Sequence, residues 1–252
     1  MYEFNKQKYR SVLKLFKNNG YDIIRFCDID ACTSDKRLVL RHDVDFSLDY
    51  ALDMAKIEAE DGVKSTYFVM LYSAFYSAFN AKNGDILKRL TDLGHEVGLH
   101  YESSMWGSDK SKFNDEFTND LHLLGKIVGK KIISAAQHNP IDSDFFNIEH
   151  LVQNEAYSTK IRGKFFYFSD SAMTWREHTP ETILNQKDDI QFLAHPIWWM
   201  TESIKVDQKL MELALLNTNK YVENVATFQK YLEYCLVERK QMDQKFMKKR
   251  GI

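Results

Sequence analysis

The chain alternates between two hydrophobic rhythms. From the N-terminus, Tyr9, Val12, Leu13, Leu15 and Phe16 recur at roughly helical spacing, and Asn18-Asn19-Gly20 ends the run. "YDIIRF" reads as a short strand, and "RLVLRH" after a turn-rich stretch reads as a buried one. Leu48, Leu52, Ala55 and Ala59 then return to helical spacing until Gly62. The β-branched and aromatic "STYFVM" is a strand. "NGDILKRLTDLG" is a helix, "HEVGLH" a strand, and "FNDEFTNDLHLLGKIVG" a long amphipathic helix stopped by Gly129. "IISAAQH" is a further strand, followed by a helix around Phe145 to Gln153. "KFFYFSDS" and "IQFLAHPIWW" add two strands, and the segment from about Tyr221 to Met247 reads as one long helix.

Such strand–helix alternation predicts βα units around a parallel sheet. The expected fold is α/β: with six or seven such units the parallel sheet curls into a barrel or a partial barrel. No internal repeat, low-complexity segment or glycine- and proline-rich linker divides the sequence, so residues 1–252 are expected to form a single domain. Its C-terminal helical segment runs from about 205 to 248.

Composition changes this picture little. Hydrophobic residues make up 44% and charged residues 28% of 252 residues, an ordinary globular mix long enough to bury a core without staples. A net charge of -2 offers no basic field for nucleic acid. Three cysteines, Cys27, Cys32 and Cys235, do not make a disulfide framework, and Cys27 and Cys32 read as packing residues. No run of about 18 apolar residues predicts a membrane span, and the charged N-terminus lacks the apolar stretch of a signal peptide. The expectation is a cytoplasmic protein; the sequence sets no oligomeric state.

The chemistry gathers where the strands end. Polar residues close one strand after another: His42-Asp43-Val44-Asp45, His100-Tyr101-Glu102, Gln137-His138-Asn139-Pro140, Ser169-Asp170-Ser171 and His195-Pro196. In parallel βα architectures these C-terminal ends share one face, where ligands bind. Asp43 and Asp45, two apart, share a side of the strand if it extends that far, with His42 opposite. Two carboxylates so close need a cation or donors. A divalent metal would hold one and leave the other as a base, and histidines from neighbouring strand ends would complete a site suited to zinc. The plainer reading of Asp45 is a helix N-cap. His95, His122 and His150 read as structural or surface residues. Trp198 and Trp199 are either core or the wall of a sugar pocket, and Asp170 is either a turn or cap aspartate or one that orients a histidine or binds a sugar hydroxyl.

Three stretches, "LRHDVDFS", "GHEVGLHYE" and "FLAHPIWW", in this order, resemble the polysaccharide deacetylase family in its His-Asp-Val-Asp variant, over roughly residues 37 to 200. The resemblance implies a distorted or partial (β/α) barrel of about seven parallel strands with helices outside, and metal-dependent hydrolysis of an N-acetyl group on an amino sugar, such as a surface-polysaccharide (O-antigen or capsule) precursor. It makes Asp43 the catalytic base, Asp45 and His100 metal ligands, and His195 the general acid for the leaving amine. Asp170, Trp198 and Trp199 become candidate substrate contacts. Two positions depart from the family pattern. A second metal histidine is expected four residues after His100, where this chain has Ser104, and the third motif has His138 before Pro140 instead of arginine. His138 is the candidate third ligand, with Glu102 the alternative, or the metal site is lost. Arg41 or Arg176 would meet a phosphate if the sugar is nucleotide-linked. The competing functions are hydrolysis of another C–N bond, such as a cyclic amide or imide, on the same fold, and a non-catalytic carbohydrate binder.

Overall fold

The structure is a computed structural model that describes residues 2–106, 109–140, 148–184 and 186–250. The chain divides into two compact units, Met1–Lys209 and Leu210–Ile252.

The first unit is built on one parallel sheet. Its strands are β1 (Asp22–Ile24), β2 (Arg37–Val44), β3 (Thr66–Val69), β4 (Glu96–Tyr101), β5 (Ser134–Gln137), β6 (Asn154–Glu155), β7 (Phe166–Ser169) and β8 (Asp189–Leu193). Seven of them follow the order β6-β5-β4-β3-β2-β8-β7, and every pairing is parallel. They curl into a half-barrel with helices around it, as the alternation of periods implied. β1 shares an edge of β2 with β3: Ile24 pairs with Val39, while Thr66 pairs with Arg41. All eight residues of β2 are buried, as expected for a central strand covered on both faces.

The helices of this unit are α1 (Lys6–Asn18), α2 (Leu48–Glu60), α3 (Ala81–Asp92), α4 (Lys110–Val128), α5 (Thr159–Arg162), α6 (Pro180–Ile183) and α7 (Pro196–Met200). The helix expected around Phe145 to Gln153 is not formed over Ile148–Gln153, which is turn; 145–147 lie outside the described residues. β6, only two residues long, carries no periodic signal and was not expected.

The barrel interior is filled by alternate residues of neighbouring strands. Val39, Phe68, Ala136 and Ala156 form one buried cluster with Phe26. Phe68 stands opposite Gly98 in the register of β3 and β4. A Cβ at Gly98 would lie 2.6 Å from the Phe68 ring and 2.9 Å from the Ser134 carbonyl oxygen, so only glycine admits the ring.

α8 (Val206–Arg250) starts in the first unit and from Leu210 on forms the second, where it exposes Tyr221, Val222, Val225 and Phe228. Among the described residues no helix is long and apolar enough to cross a membrane. Cys27, Cys32 and Cys235 are free.

Candidate active site

Side chains on β2 alternate between two faces. Arg41 and Asp43 point into the barrel; His42 points outward to α2. Asp45 follows the strand on the Asp43 side. It is not a helix cap, because Ser47 caps α2 by accepting from the Tyr50 amide at 3.4 Å. Asp45 is therefore left to face the site.

His100 closes β4 on the interior face. Its Nδ1 donates to the Ala136 carbonyl at 2.8 Å, which fixes the tautomer and leaves the Nε2 lone pair inward. Nε2 lies 3.2 Å from Asp45 Oδ1 and 3.6 Å from Asp43 Oδ2. His138, just past β5, has its ring centroid 5.2 Å from that of His100. Ligand atoms of Asp45, His100 and His138 all lie within 4.8 Å of one another.

Whether these residues suit a metal is decided by their unpaired atoms. Asp45 Oδ1 and His138 Nδ1 are buried and lack a hydrogen-bond partner. Asp45 Oδ1 and His100 Nε2, 3.2 Å apart, are both within reach of one ion. Buried polar atoms without partners are costly. Two imidazole nitrogens and one carboxylate oxygen form a donor set that fits a zinc-like divalent ion with room for a further ligand. Glu102 is outside this set and accepts from Ser104 Oγ at 3.1 Å on the exposed side.

Asp43 is held by Arg41 through two contacts, Nε to Oδ1 at 3.1 Å and Nη2 to Oδ2 at 2.6 Å. Burial pushes the Asp43 carboxyl up, but Arg41 and then His100 outweigh it and hold it far below the usual carboxylate range. Arg41, fully buried, also donates to Gln191 Oε1 at 2.9 Å and to the Tyr157 hydroxyl at 3.2 Å. This corrects the sequence reading of Arg41 as a phosphate contact, since its guanidinium is spent on Asp43. The signal was available: residues i and i+2 on one strand share a face.

His195 follows β8. Its Nδ1 donates to Asp170 Oδ1 at 2.6 Å, and its Nε2 lies 3.8 Å from Asp45 Oδ2. Burial lowers the affinity of His195 for its proton, but Asp170 first, then Asp45 and Asp43, raise it to about 9. Asp170 also accepts from the His195 amide and from Trp199 Nε1, the latter at 2.6 Å. Asp170 and Trp199 are fully buried behind His195, and Trp198 is 6% exposed against Phe46. Of the two roles the sequence offered Asp170, its bond to the His195 ring matches the orienting one; Trp199 bonds to Asp170, and Trp198 packs beside Phe46.

A second polar cluster lies behind β2 and escaped the sequence reading. Glu58 of α2 accepts from Tyr67 and Ser65, each at 2.7 Å, and from Tyr9, while His42 Nε2 lies 2.7 Å from its Oε1. His42 Nδ1 reaches the Ala194 carbonyl at 2.9 Å, next to His195. His95 Nε2 donates to the Ala55 carbonyl at 3.0 Å, a structural role. The signal was a carboxylate on the apolar stripe of α2, seven residues after Ala51 and three after Ala55.

Comparison with known proteins gives the fold a context. No protein-family model matches the sequence, and no curated protein matches it. Among solved structures, the Streptococcus pyogenes deacetylase PplD in complex with acetate is 13% identical over 72% of this chain and 86% of its own, with a TM-score of 0.50. A CE4 family pseudoenzyme from Bacillus anthracis is 14% identical over 74% of this chain and 62% of its own, with a TM-score of 0.45. The chitin deacetylase of Colletotrichum lindemuthianum is 17% identical over 78% of this chain and 86% of its own, with a TM-score of 0.45. At such identities the likeness to the streptococcal deacetylase establishes a shared fold.

Proposed function

We propose that this chain, with its deacetylase-like fold, is a metal-dependent hydrolase that removes the N-acetyl group from an amino sugar. The observation that carries the reading is the convergence of Asp45, His100 and His138 beside Asp43 and His195 at the C-terminal ends of the strands.

Asp45, His100 and His138 would hold a divalent ion, with zinc the best match to two nitrogens and one oxygen. When bound, that ion supplies a Lewis acid that polarises the acetyl carbonyl and acidifies water. Asp43, kept ionised by Arg41, accepts a proton from the attacking water. His195, protonated at neutral pH and pinned by Asp170, gives a proton to the departing amine. One C–O bond forms, the C–N bond breaks, and the products are acetate and the free amino sugar. The fixed donors around Asp170 keep the imidazole aimed before substrate arrives.

The proposed substrate is the N-acetylated amino sugar of a surface-polysaccharide precursor, met in the cytoplasm, as the sequence resemblance implies. Acetate release from a panel of N-acetylated amino sugars, with added zinc and after chelation, tests the reading. Release that depends on metal is expected. A zinc-loaded protein that binds the sugars and releases no acetate would instead be a carbohydrate binder.

A further inference from the structure

The half-barrel does not close, and among the described residues β6 and β7 remain its unpaired ends. A cavity of about 690 Å3 opens in that seam, lined by Tyr157, Arg162, Tyr167, Ser171, Arg176 and Gln191, among others. It falls within the roughly 300–1,000 Å3 typical of small-molecule sites.

The floor of the cavity is tied to the proposed base. Gln191 and Tyr157 are buried, and both accept from Arg41, which grips Asp43. The Tyr157 ring lies between two guanidiniums: Arg41 Cζ is 4.9 Å and Arg162 Cζ 5.2 Å from its centroid. A ligand in the seam therefore sits one residue layer away from the Arg41–Asp43 pair.

The mouth is cationic. Arg10, Arg25, Arg37 and Arg41 each hold a carboxylate. Arg162 and Arg176, both exposed, hold none among the described residues, and both line this cavity. Tyr167 adds a partly exposed ring. The loops flanking the seam also contain the non-glycine residues with positive φ among those described: Asn139 at 43°, Ala172 at 56° and Met173 at 56°. Such backbone is strained and collects at ligand sites.

We propose that this cavity is a subsite for an anionic substituent of the sugar, a phosphoryl or carboxylate group, held by Arg162 and Arg176. Guanidinium forks match both groups and bind them through charge-assisted hydrogen bonds. The proposal rests on the reading of Asp43 and its neighbours as the site where the acetyl group is placed. It narrows the substrate to an acidic amino sugar, such as a sugar phosphate.

The test is calorimetric binding to the full, zinc-loaded chain carrying Asp43→Asn, in which the N-acetylated probes are not turned over, beside acetate release by the parent chain. The probes are a neutral N-acetylated hexosamine, its phosphorylated counterpart and its uronic acid counterpart. At least one acidic sugar is expected to bind more tightly than the neutral one by about tenfold for each arginine engaged. The Arg162→Gln, Arg176→Gln double variant should erase that preference and leave neutral-sugar binding unchanged, and Arg→Lys at both positions should restore part of it. The acidic probe whose gain depends on the arginines identifies the substituent. Equal binding of acidic and neutral sugars, or a preference that survives the double variant, overturns the subsite. Binding is read without turnover, so the two readings fail separately. An arginine-dependent preference without acetate release removes the hydrolase and keeps the subsite; acetate release without any preference does the reverse.

Discussion

Arg41 and Asp43 leave β2 on the same face, and the guanidinium Nη2 lies 2.6 Å from the carboxylate Oδ2 in a fully buried pair. The proposed base is thus held by a residue of its own strand, two positions earlier. Asp43→Asn is expected to abolish turnover while zinc content stays near that of the parent protein. It also strands a buried guanidinium, which costs on the order of 3 kcal/mol of stability. Adding Arg41→Met should return part of that stability and none of the turnover, which a double-mutant cycle of denaturant unfolding beside acetate assays resolves.

The metal ligands make a second prediction. His100→Ala and His138→Ala should each sharply weaken zinc binding, measured by competition with a chromogenic chelator. Ser104→Ala should leave it unchanged, because Ser104 is exposed and donates to Glu102. Parent-like zinc affinity in His138→Ala would return the third ligand position to Glu102.

The Asp170 contacts predict a positioning effect. Asp170 fixes the His195 ring, the His195 amide and Trp199 together. Asp170→Asn should lower kcat about a hundredfold or more, the range of lost acid–base catalysis, with zinc affinity unchanged. Unchanged kcat would show that His195 needs no such anchor.

Glu58 is expected to contribute to acid stability. Burial pushes its carboxyl up, yet His42, His95 and Tyr9 together hold it at about 2, below its ordinary 4.5. A depressed carboxyl stabilises the fold above its unfolded value and loses that contribution as pH falls through the folded one. The contribution, on the order of 3 kcal/mol, should be intact above about pH 4.5 and fade between there and about pH 2. In Glu58→Gln this part of the acid dependence should disappear and stability at neutral pH should fall. Urea unfolding across that window measures both.

What the sequence revealed follows from which physical signals are local. Buried strands such as Arg37–Val44 and Glu96–Tyr101 announce themselves by composition, and the polar residues at their ends stand out against that apolar background although they too are buried. Asp43, Asp45, His100, His138 and His195 were all visible for that reason. β6 was not, because two residues cannot display a period. The partners of Asp43 and Asp170 were hard to read because burial reverses their apparent roles. Arg41 looks like a free cation and Trp199 like a sugar platform until each is seen fully buried and bonded to a carboxylate. Asp45 could be separated from a helix cap only once Ser47 was seen to supply the cap.

The place where a metal binds decides the proposed function most directly. A crystal of the full chain loaded with zinc, with anomalous diffraction recorded at the zinc edge, gives the answer. The predicted result is one strong peak bonded to Asp45, His100 and His138, with Asp43 beside it and unbound. A peak held by other side chains, or none at full zinc loading, would contradict it.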